Sequence, residues 1–343
     1  MGQIQLQEIC ATSYEPKPVN KGYTDQSLHI NLDSNGIEIK DIEKNIKDKF
    51  IGGKGYDLWM LWNAVSGSTK WDDPENAICI ASGPLGGTPG YPGGGKSIVT
   101  SISPLTGIPI DSNVGGYFGP YKKFSGFDVL EVTGKAKQDV VVLIDGIEKT
   151  IKIYEADNLP ADSYEMSDVL TRYFDEAKPV NVSVVTAGPG AENSFFGCLN
   201  FSWWDAGRKM VRYKQAGRGG IGTVFANKNI KAIVGRYGAI SMKSNAPADF
   251  DGLKVVTKTH AKEINELDPK QNRMALVGTT HLVPIMNDHD CLPVNNFKFG
   301  SHPESKVIGE EVYEHIFDKG FDGCWRGCAV ACAHGVKDFS PFT

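Results

Sequence analysis

The chain has 343 residues, 41% hydrophobic and 22% charged, with a formal net charge of −5. This suits a globular protein with a sizeable core, most simply in two domains, and an acidic balance without a long basic run argues against nucleic acid as a partner. No apolar run reaches the ~18 residues of a membrane span, MGQIQLQEIC at the N-terminus lacks the order of a secretion signal, and an odd cysteine count of seven points away from a disulfide scaffold and towards a reducing cytosol.

Strand signals dominate the first two thirds. Residues 27–40 alternate apolar and polar around Asn35-Gly36, a type I′ hairpin signal, and residues 140–153 repeat the device around Asp145-Gly146. Further strands are expected at 77–81, 97–102, 129–132, 182–185 and 231–234, with helices at 56–65 and 167–176. The predicted class is α+β, with mostly antiparallel or mixed sheets. After Tyr237 the composition shifts. SMKSNAPADF reads as a linker ending in a helix start with Asp249 as a possible N-cap, and helical periodicity follows at 249–266 and 307–319. The expected domains are 1–240, rich in β-structure, and 245–343, the start of a helical domain.

Glycine is the compositional outlier, at 39 residues. Clusters occur at Gly52-Gly53, Gly86-Gly87, Gly93 to Gly95, Gly115-Gly116 and Gly219-Gly220, and glycine allows positive φ and close approach of backbone to a ligand. A single cluster is explained by a tight turn; five within 220 residues point to a backbone-lined binding surface. They also echo one another. Gly115-Gly116 leads through a short basic stretch into the strand FDVLEVTGKA, and Gly219-Gly220 leads through FANKN into IKAIVGRYG. Each is preceded by a strand running into Gly-Pro, in ASGPLGG at 81–87 and TAGPGAE at 186–192. A duplicated domain whose halves form two walls of one site is the expectation.

Cys324, Cys328 and Cys332 fall within nine residues of the string GCWRGCAVACAHG. Thiolates at this density usually bind a metal, most often iron–sulfur or zinc. A cubane cluster needs a fourth ligand, which would come from Cys10, Cys79, Cys198 or Cys291 folding back, or from polypeptide outside this chain. Alternatively, a spacing of four places all three on one helix face as small buried residues.

At this point the residues spell a family. SPLTG at 103–107, Asn113, GGYFGPYKKFSGFD at 115–128, AGPGAEN at 187–193 and AGRGGIGTVFANKNIKAI at 216–233 resemble the tungsten-dependent aldehyde:ferredoxin oxidoreductase family. GGKGYDLWML at 52–61 and ASGPLGGTPGYPGGGK at 81–96 fit its opening segments. GTTHLVPIMNDHDCLPVNNF at 278–297 and the cysteine string fit the start of its second domain. The resemblance implies a duplicated β-rich pterin-binding domain with mixed sheets, followed by the start of an α-helical domain. It implies tungsten, or molybdenum, held between two pyranopterin dithiolenes, a magnesium ion bridging their phosphates, and a [4Fe–4S] cluster. By position, Gly115, Gly116, Ala216, Gly217, Arg218, Gly219 and Gly220 would line the cofactor. Lys96 and Lys214 stand where the family has arginines, keeping the charge but losing the bidentate fork. Asn113 and Gln215 would turn backbone carbonyls to the magnesium, and Cys324, Cys328 and Cys332 would hold the cluster, with one residue more than usual in the first interval. His334, two residues after Cys332, is read as exposed, with donation to a cluster sulfur as the alternative.

For such a family the implied reaction is oxidation of an aldehyde to a carboxylic acid, with electrons passing through the cluster to ferredoxin. The implied acid–base residues and the fourth cluster cysteine are expected beyond Thr343, so the chain reads as incomplete on its own, in the cytoplasm, either pairing with itself or complemented by a C-terminal chain. Two other readings stay open: a same-cofactor, low-potential reductase of an aromatic acyl-CoA or carboxylic acid, and a non-catalytic remnant that binds pterin or cluster.

Overall fold

The structure, a computed structural model, describes residues 4–316 and 323–333. The chain divides into two compact units. The first comprises the residues up to Thr88 together with Gly93–Phe250; the second comprises Pro89–Pro92 and the residues from Asp251 onward.

The first unit is built on two mixed sheets. The strands are β1 (Gln5–Ser13), β2 (Gln26–Asn31), β3 (Gly36–Asp41), β4 (Ile78–Ala81), β5 (Ser97–Ile102), β6 (Pro109–Val114), β7 (Val129–Thr133), β8 (Val140–Asp145), β9 (Thr150–Asp157), β10 (Val182–Ala187), β11 (Leu199–Asp205), β12 (Met210–Ala216) and β13 (Ile230–Arg236). One sheet has the order β3-β2-β7-β4-β5-β6, the other β1-β9-β8-β13-β10-β11-β12. The α+β class with mixed sheets is therefore as the sequence indicates.

The duplication is written into the topology. In each half the first strand pairs antiparallel with the second and parallel with the sixth (β2 with β3 and β7; β8 with β9 and β13). The sixth then pairs antiparallel with the third, and the third, fourth and fifth form an antiparallel meander. The first unit also holds the helices α1 (Lys44–Phe50), α2 (Lys54–Ala64), α3 (Phe118–Phe124), α4 (Ser163–Asp175) and α5 (Ile221–Asn227). α3 and α5 occupy the same place in the two halves, between fifth and sixth strands. β1 has no counterpart; it is an edge strand added beside β9.

Period-two alternation explains how the layers meet. Leu28 and Ile30 of β2, Ile80 of β4 and Val99 of β5 share one fully buried core with Val142, Ile144, Val185, Phe201 and Ile233 of the other sheet, so the sheets pack face to face. Each such side chain contributes about 1.5–3 kcal/mol on burial. The outer faces are covered by helices. Tyr56, Met60 and Leu61 of α2 cover the six-stranded sheet, and Met166 and Leu170 of α4 cover the other. α4 starts where a carboxylate can cap it, with Asp162 accepting from the N–H groups of Tyr164 and Glu165.

The hairpins correct the type I′ expectation. Asn31 pairs with Gly36 and Asp145 with Thr150, leaving four-residue loops in which Asn35 and Lys149 take positive φ. In both, the first loop residue stays bound to the parallel strand, with Leu32 N–H donating to Thr133 and Gly146 N–H to Arg236; the first turn starts ahead of Asn35-Gly36, whereas the second runs on past Gly146. Strands β1, β6, β11 and β12, and helices α1, α3 and α5, also go beyond the sequence reading.

In the second unit lie α6 (Phe250–Leu267), α7 (Met274–Val277), α8 (Leu282–Asp288) and α9 (Glu310–Ile316). The helix expected at 307–319 begins at Glu310, and its last three positions lie outside the described residues. No helix among the described residues is long and apolar enough to cross a membrane.

Candidate functional site

In the first half, three glycine strings meet. Gly53, at φ +53, caps the N-terminus of the eleven-residue α2 and donates to the Ser82 carbonyl (3.3 Å). A Cβ on Gly52 would stand 3.3 Å from Gly83 Cα. Helix α2 thus turns its positive end towards the start of the second string. Gly119, on α3, leaves no room for a side chain, since a Cβ would lie 1.9 Å from Ser97 Oγ. Lys54 pairs with Asp111 of β6 (2.5 Å). Exposed Lys96 immediately precedes β5, whose first residue, Ser97, pairs with the last of β6, Val114.

At the end of β6, exposed Asn113 leads into buried Gly115 and Gly116, the latter at φ +116. The second half repeats this at the end of β12, where half-buried Lys214 and exposed Gln215 lead into Ala216 and the string Gly217 to Gly220. Asn113 and Gln215 are equivalent: each is the exposed, penultimate residue of the fifth strand of its half.

The two strings touch. Arg218 N–H donates to Ser112 Oγ (3.1 Å), beside Asn113. Gly219, at φ +75, lies so close to Ile110 of β6 that a Cβ would stand 2.3 Å from Ile110 Cγ2. Gly220, at φ +69, faces the Phe195 carbonyl, 2.1 Å from where its Cβ would be. Gly217 has open space on the same test, and Arg218 is exposed. Glycine backbone and the cations Lys96, Lys214 and Arg218 therefore stand at or beside the ends of β6 and β12, a composition suited to anionic oxygens. Sequence reasoning did not single out Ser112, Lys54, Lys123 or Asn245. The signal for Lys54 was its place inside GGKG; Ser112 and Asn245 carried none.

Buried charge concentrates beneath the first string. Lys122 Nζ donates to the carbonyls of Phe127 and Asp128 (2.9 and 2.7 Å), and burial lowers it to about 8. Asp57 of α2 is fully buried, with Oδ1 unpartnered, and desolvation holds its carboxyl well above the usual range. A separate cavity of about 680 Å³ on the outer face of the six-stranded sheet is lined by Ser27, His29 and Glu131, hydrogen-bonded in series at 2.9 and 2.6 Å. It shares no residue with the glycine strings.

In the second unit the cysteine string takes turns rather than a helix. Cys324 and Cys328 are buried and Cys332 half-buried. Gly90, from the tip of the string 81–96, donates to the Arg326 carbonyl (2.9 Å) and lies against Gly327, whose φ is +76. Among the described residues no three His, Cys, Asp or Glu side chains converge at metal-holding spacing, and no disulfide is present. Desolvation pushes the Cys79 thiol well up, which keeps it protonated and disfavours it as a ligand. His334 lies outside the described residues.

Residues 27–237 match the family described as aldehyde ferredoxin oxidoreductase, N-terminal domain, and residues 254–341 match aldehyde ferredoxin oxidoreductase, domains 2 and 3. The chain belongs to the aldehyde ferredoxin oxidoreductase family. It is 30% identical to a tungsten-containing aldehyde ferredoxin oxidoreductase of Pyrococcus furiosus over 279 residues, covering 80% of this chain and 43% of that protein. It is 27% identical to an aliphatic sulfonate oxidoreductase, WOR-like subunit, of the same organism, covering 83% of this chain and 45% of that one. The chain therefore spans less than half the length of these relatives. In fold it is similar to the active-site complex BamBC of benzoyl coenzyme A reductase in complex with 1,5-dienoyl-CoA, with a TM-score of 0.68 and 20% identity over 93% of this chain and 48% of that one.

Proposed function

We propose that this oxidoreductase family member forms the cofactor-binding part of an enzyme that oxidises aldehydes to carboxylic acids, using a tungsten (or molybdenum) bis-pyranopterin. One observation carries the reading: the equivalent strand ends Asn113–Gly116 and Gln215–Gly220, from the two halves of a duplicated fold, meet through Ser112 and Arg218 at 3.1 Å. Two similar walls suit a ligand with two similar halves.

The residues present fit such a group. Ile110 and the Phe195 carbonyl occupy the space a Cβ would fill at Gly219 and Gly220, so the string is held against the protein and its backbone is fixed in place before any ligand binds. In this assignment Gly115, Gly116 and Ala216 to Gly220 line the pterins, Lys96, Lys214 and Arg218 offset phosphate charge, and the carbonyls of Asn113 and Gln215 face magnesium. Lysine gives charge without a bidentate fork, so anion binding here depends on backbone donors more than on planar pairing. When bound, the metal–pterin group supplies the two-electron chemistry, while the protein binds, orients and shields it.

Cys324, Cys328 and Cys332 are proposed as three ligands of a [4Fe–4S] cluster. Three soft donors in nine residues suit iron, although the described residues do not bring them together as they stand, and no step is derived through that cluster. Ferredoxin is the proposed electron acceptor. The proposed domain roles are pterin binding for 1–240 and cluster binding for 245–343.

The test is metal analysis of the purified chain, grown with tungstate, followed by viologen-linked assay with aldehydes and with aryl-CoA substrates. Bound tungsten, and iron that falls on Cys328→Ser, is the expected result. A folded protein that takes up neither metal overturns the reading in favour of a non-catalytic remnant. Turnover of aryl-CoA but not aldehydes replaces the reaction and keeps the cofactor.

A further inference from the structure

Lys123 lies on α3, a helix whose seven residues are all buried. Its Nζ is within hydrogen-bonding reach of four oxygens: the carbonyls of Gly83 (2.9 Å), Pro84 (3.1 Å) and Gly86 (2.9 Å), and Asn245 Oδ1 (3.1 Å). An ammonium has three protons, so these acceptors share them. Three carbonyls of one short string are thus gathered on a single cation, as they would be around a metal ion. Asn245 closes the arrangement, its Nδ2 donating to the Pro84 carbonyl (2.6 Å) and to Thr88 Oγ1 (3.0 Å). Burial pushes Lys123 down to about 7, with the Asp128 carboxylate opposing. An apolar side chain would satisfy the core at lower cost, so the ammonium is retained for what it holds.

What it holds sets where the string points. Across a trans peptide the carbonyl and the next N–H face opposite ways, and no peptide bond here is cis. With the Gly86 carbonyl drawn inward, the Gly87 N–H meets the Gly94 carbonyl (2.6 Å) and ties the two arms of the string together. With the Pro84 carbonyl drawn inward, the Leu85 N–H faces away from Lys123, on a residue 48% exposed. The string SGPLGG has no charged side chain of its own to attract an anion.

We propose that Lys123 is a positioning residue: it holds the string 82–88 in the conformation that presents the Leu85 N–H to an anionic oxygen of the phosphate or pyrophosphate class, without itself touching the ligand. This rests on the phosphate-binding reading of the glycine strings and adds to it a specific donor and the residue that aims it.

The test is hydrogen exchange on the full chain with saturating inorganic pyrophosphate, in the wild type, Lys123→Met and Asn245→Ala. Pyrophosphate is expected to slow exchange of the Leu85 amide in the wild type. In Lys123→Met that protection should vanish and affinity for pyrophosphate fall about tenfold, the scale of one hydrogen bond to a charged group, while amides of β8 and β13 exchange as before. Asn245→Ala should shift both readouts in the same direction by less, and it decides the matter if Lys123→Met does not fold. Equal protection and affinity in a folded variant overturns the proposal. Protection confined to Gly217–Gly220 in the wild type also overturns it, while leaving the bis-pterin reading intact. Protection at Leu85 in a chain that takes up no tungsten sinks that reading and keeps this inference.

Discussion

The two halves of the first unit follow one strand path yet fix their glycine strings by different means. The first half uses a buried ammonium that gathers carbonyls from within. The second has no lysine on α5; steric exclusion by Ile110 and the Phe195 carbonyl, with one hydrogen bond from Arg218 to Ser112, sets the string instead. Duplication thus preserves what the backbone ladder dictates and leaves loop conformation to be solved separately in each copy. The connection after the fifth strand differs accordingly: residues 115–117 in the first half, 217–220 in the second.

Four experiments sharpen or break this contrast. The largest effect is expected at Gly220. Alanine there combines a left-handed φ of +69 with a backbone oxygen 2.1 Å from the new Cβ, and should lower stability by about 3 kcal/mol or more. Urea unfolding would show it, with Gly217→Ala, in open space, within about 0.5 kcal/mol of wild type.

Next come the equivalent helix glycines. At Gly119 the obstacle is the Ser97 hydroxyl; at Gly222 it is the Cys198 carbonyl, 2.4 Å away. Each alanine variant should lose about 2 kcal/mol. Adding Ser97→Ala should recover about half of the loss at Gly119, whereas Cys198→Ala should recover none at Gly222. Equal recovery in both halves would erase the distinction.

A smaller, pH-dependent effect is expected at Lys228, whose Nζ holds the carbonyls of Pro74 and Gly134. Burial lowers its pKa to about 8. Between about 8 and the ordinary lysine value of ~10.4 the unfolded chain binds more protons than the folded one, so this group adds stability as pH rises through that window. Wild type should therefore gain on Lys228→Met between pH 8 and 10; a constant gap would contradict the shift. Least of all should change on Asn113→Ala or Gln215→Ala. If their role is main-chain, stability should stay within about 0.5 kcal/mol and magnesium content should be unaltered.

Much of this architecture was legible because two faces of each central strand have different neighbours. Leu28 and Ile30 alternate with Ser27 and His29, and the pattern survives into the structure. β1 escaped because a register shift between Glu8 and Cys10 breaks its alternation, so that Leu6 packs on one core and Cys10 on the other; as an edge strand, QLQEICATS buries none of its residues fully. α3 escaped for the opposite reason. FGPYKKF holds a glycine, a proline and two lysines, all marks of an exposed turn, yet every one of its residues is buried because the lysines find backbone carbonyls instead of water. The glycine strings were readable as a surface, since only close approach explains so many. Their mutual contact was not, because Ser112 and Ile110 are unremarkable until the sheet places them. The cysteine spacing misled in its structural alternative: four-residue intervals fit a helix face, but positive φ at Gly327 breaks any helix there.

The threading of Pro89–Pro92 has a practical consequence. The polypeptide passes between the units at three places: Thr88 to Pro89, Pro92 to Gly93 and Phe250 to Asp251. Severing the chain near residue 250 would not yield two whole pieces. A fragment starting at Asp251 would lack the Gly90 amide that caps the Arg326 carbonyl between the first two cysteines, so thiol reactivity measured on it would describe a region missing one of its own walls. Only a chain that keeps the first unit whole, from its first strand through residue 250, carries that wall in place.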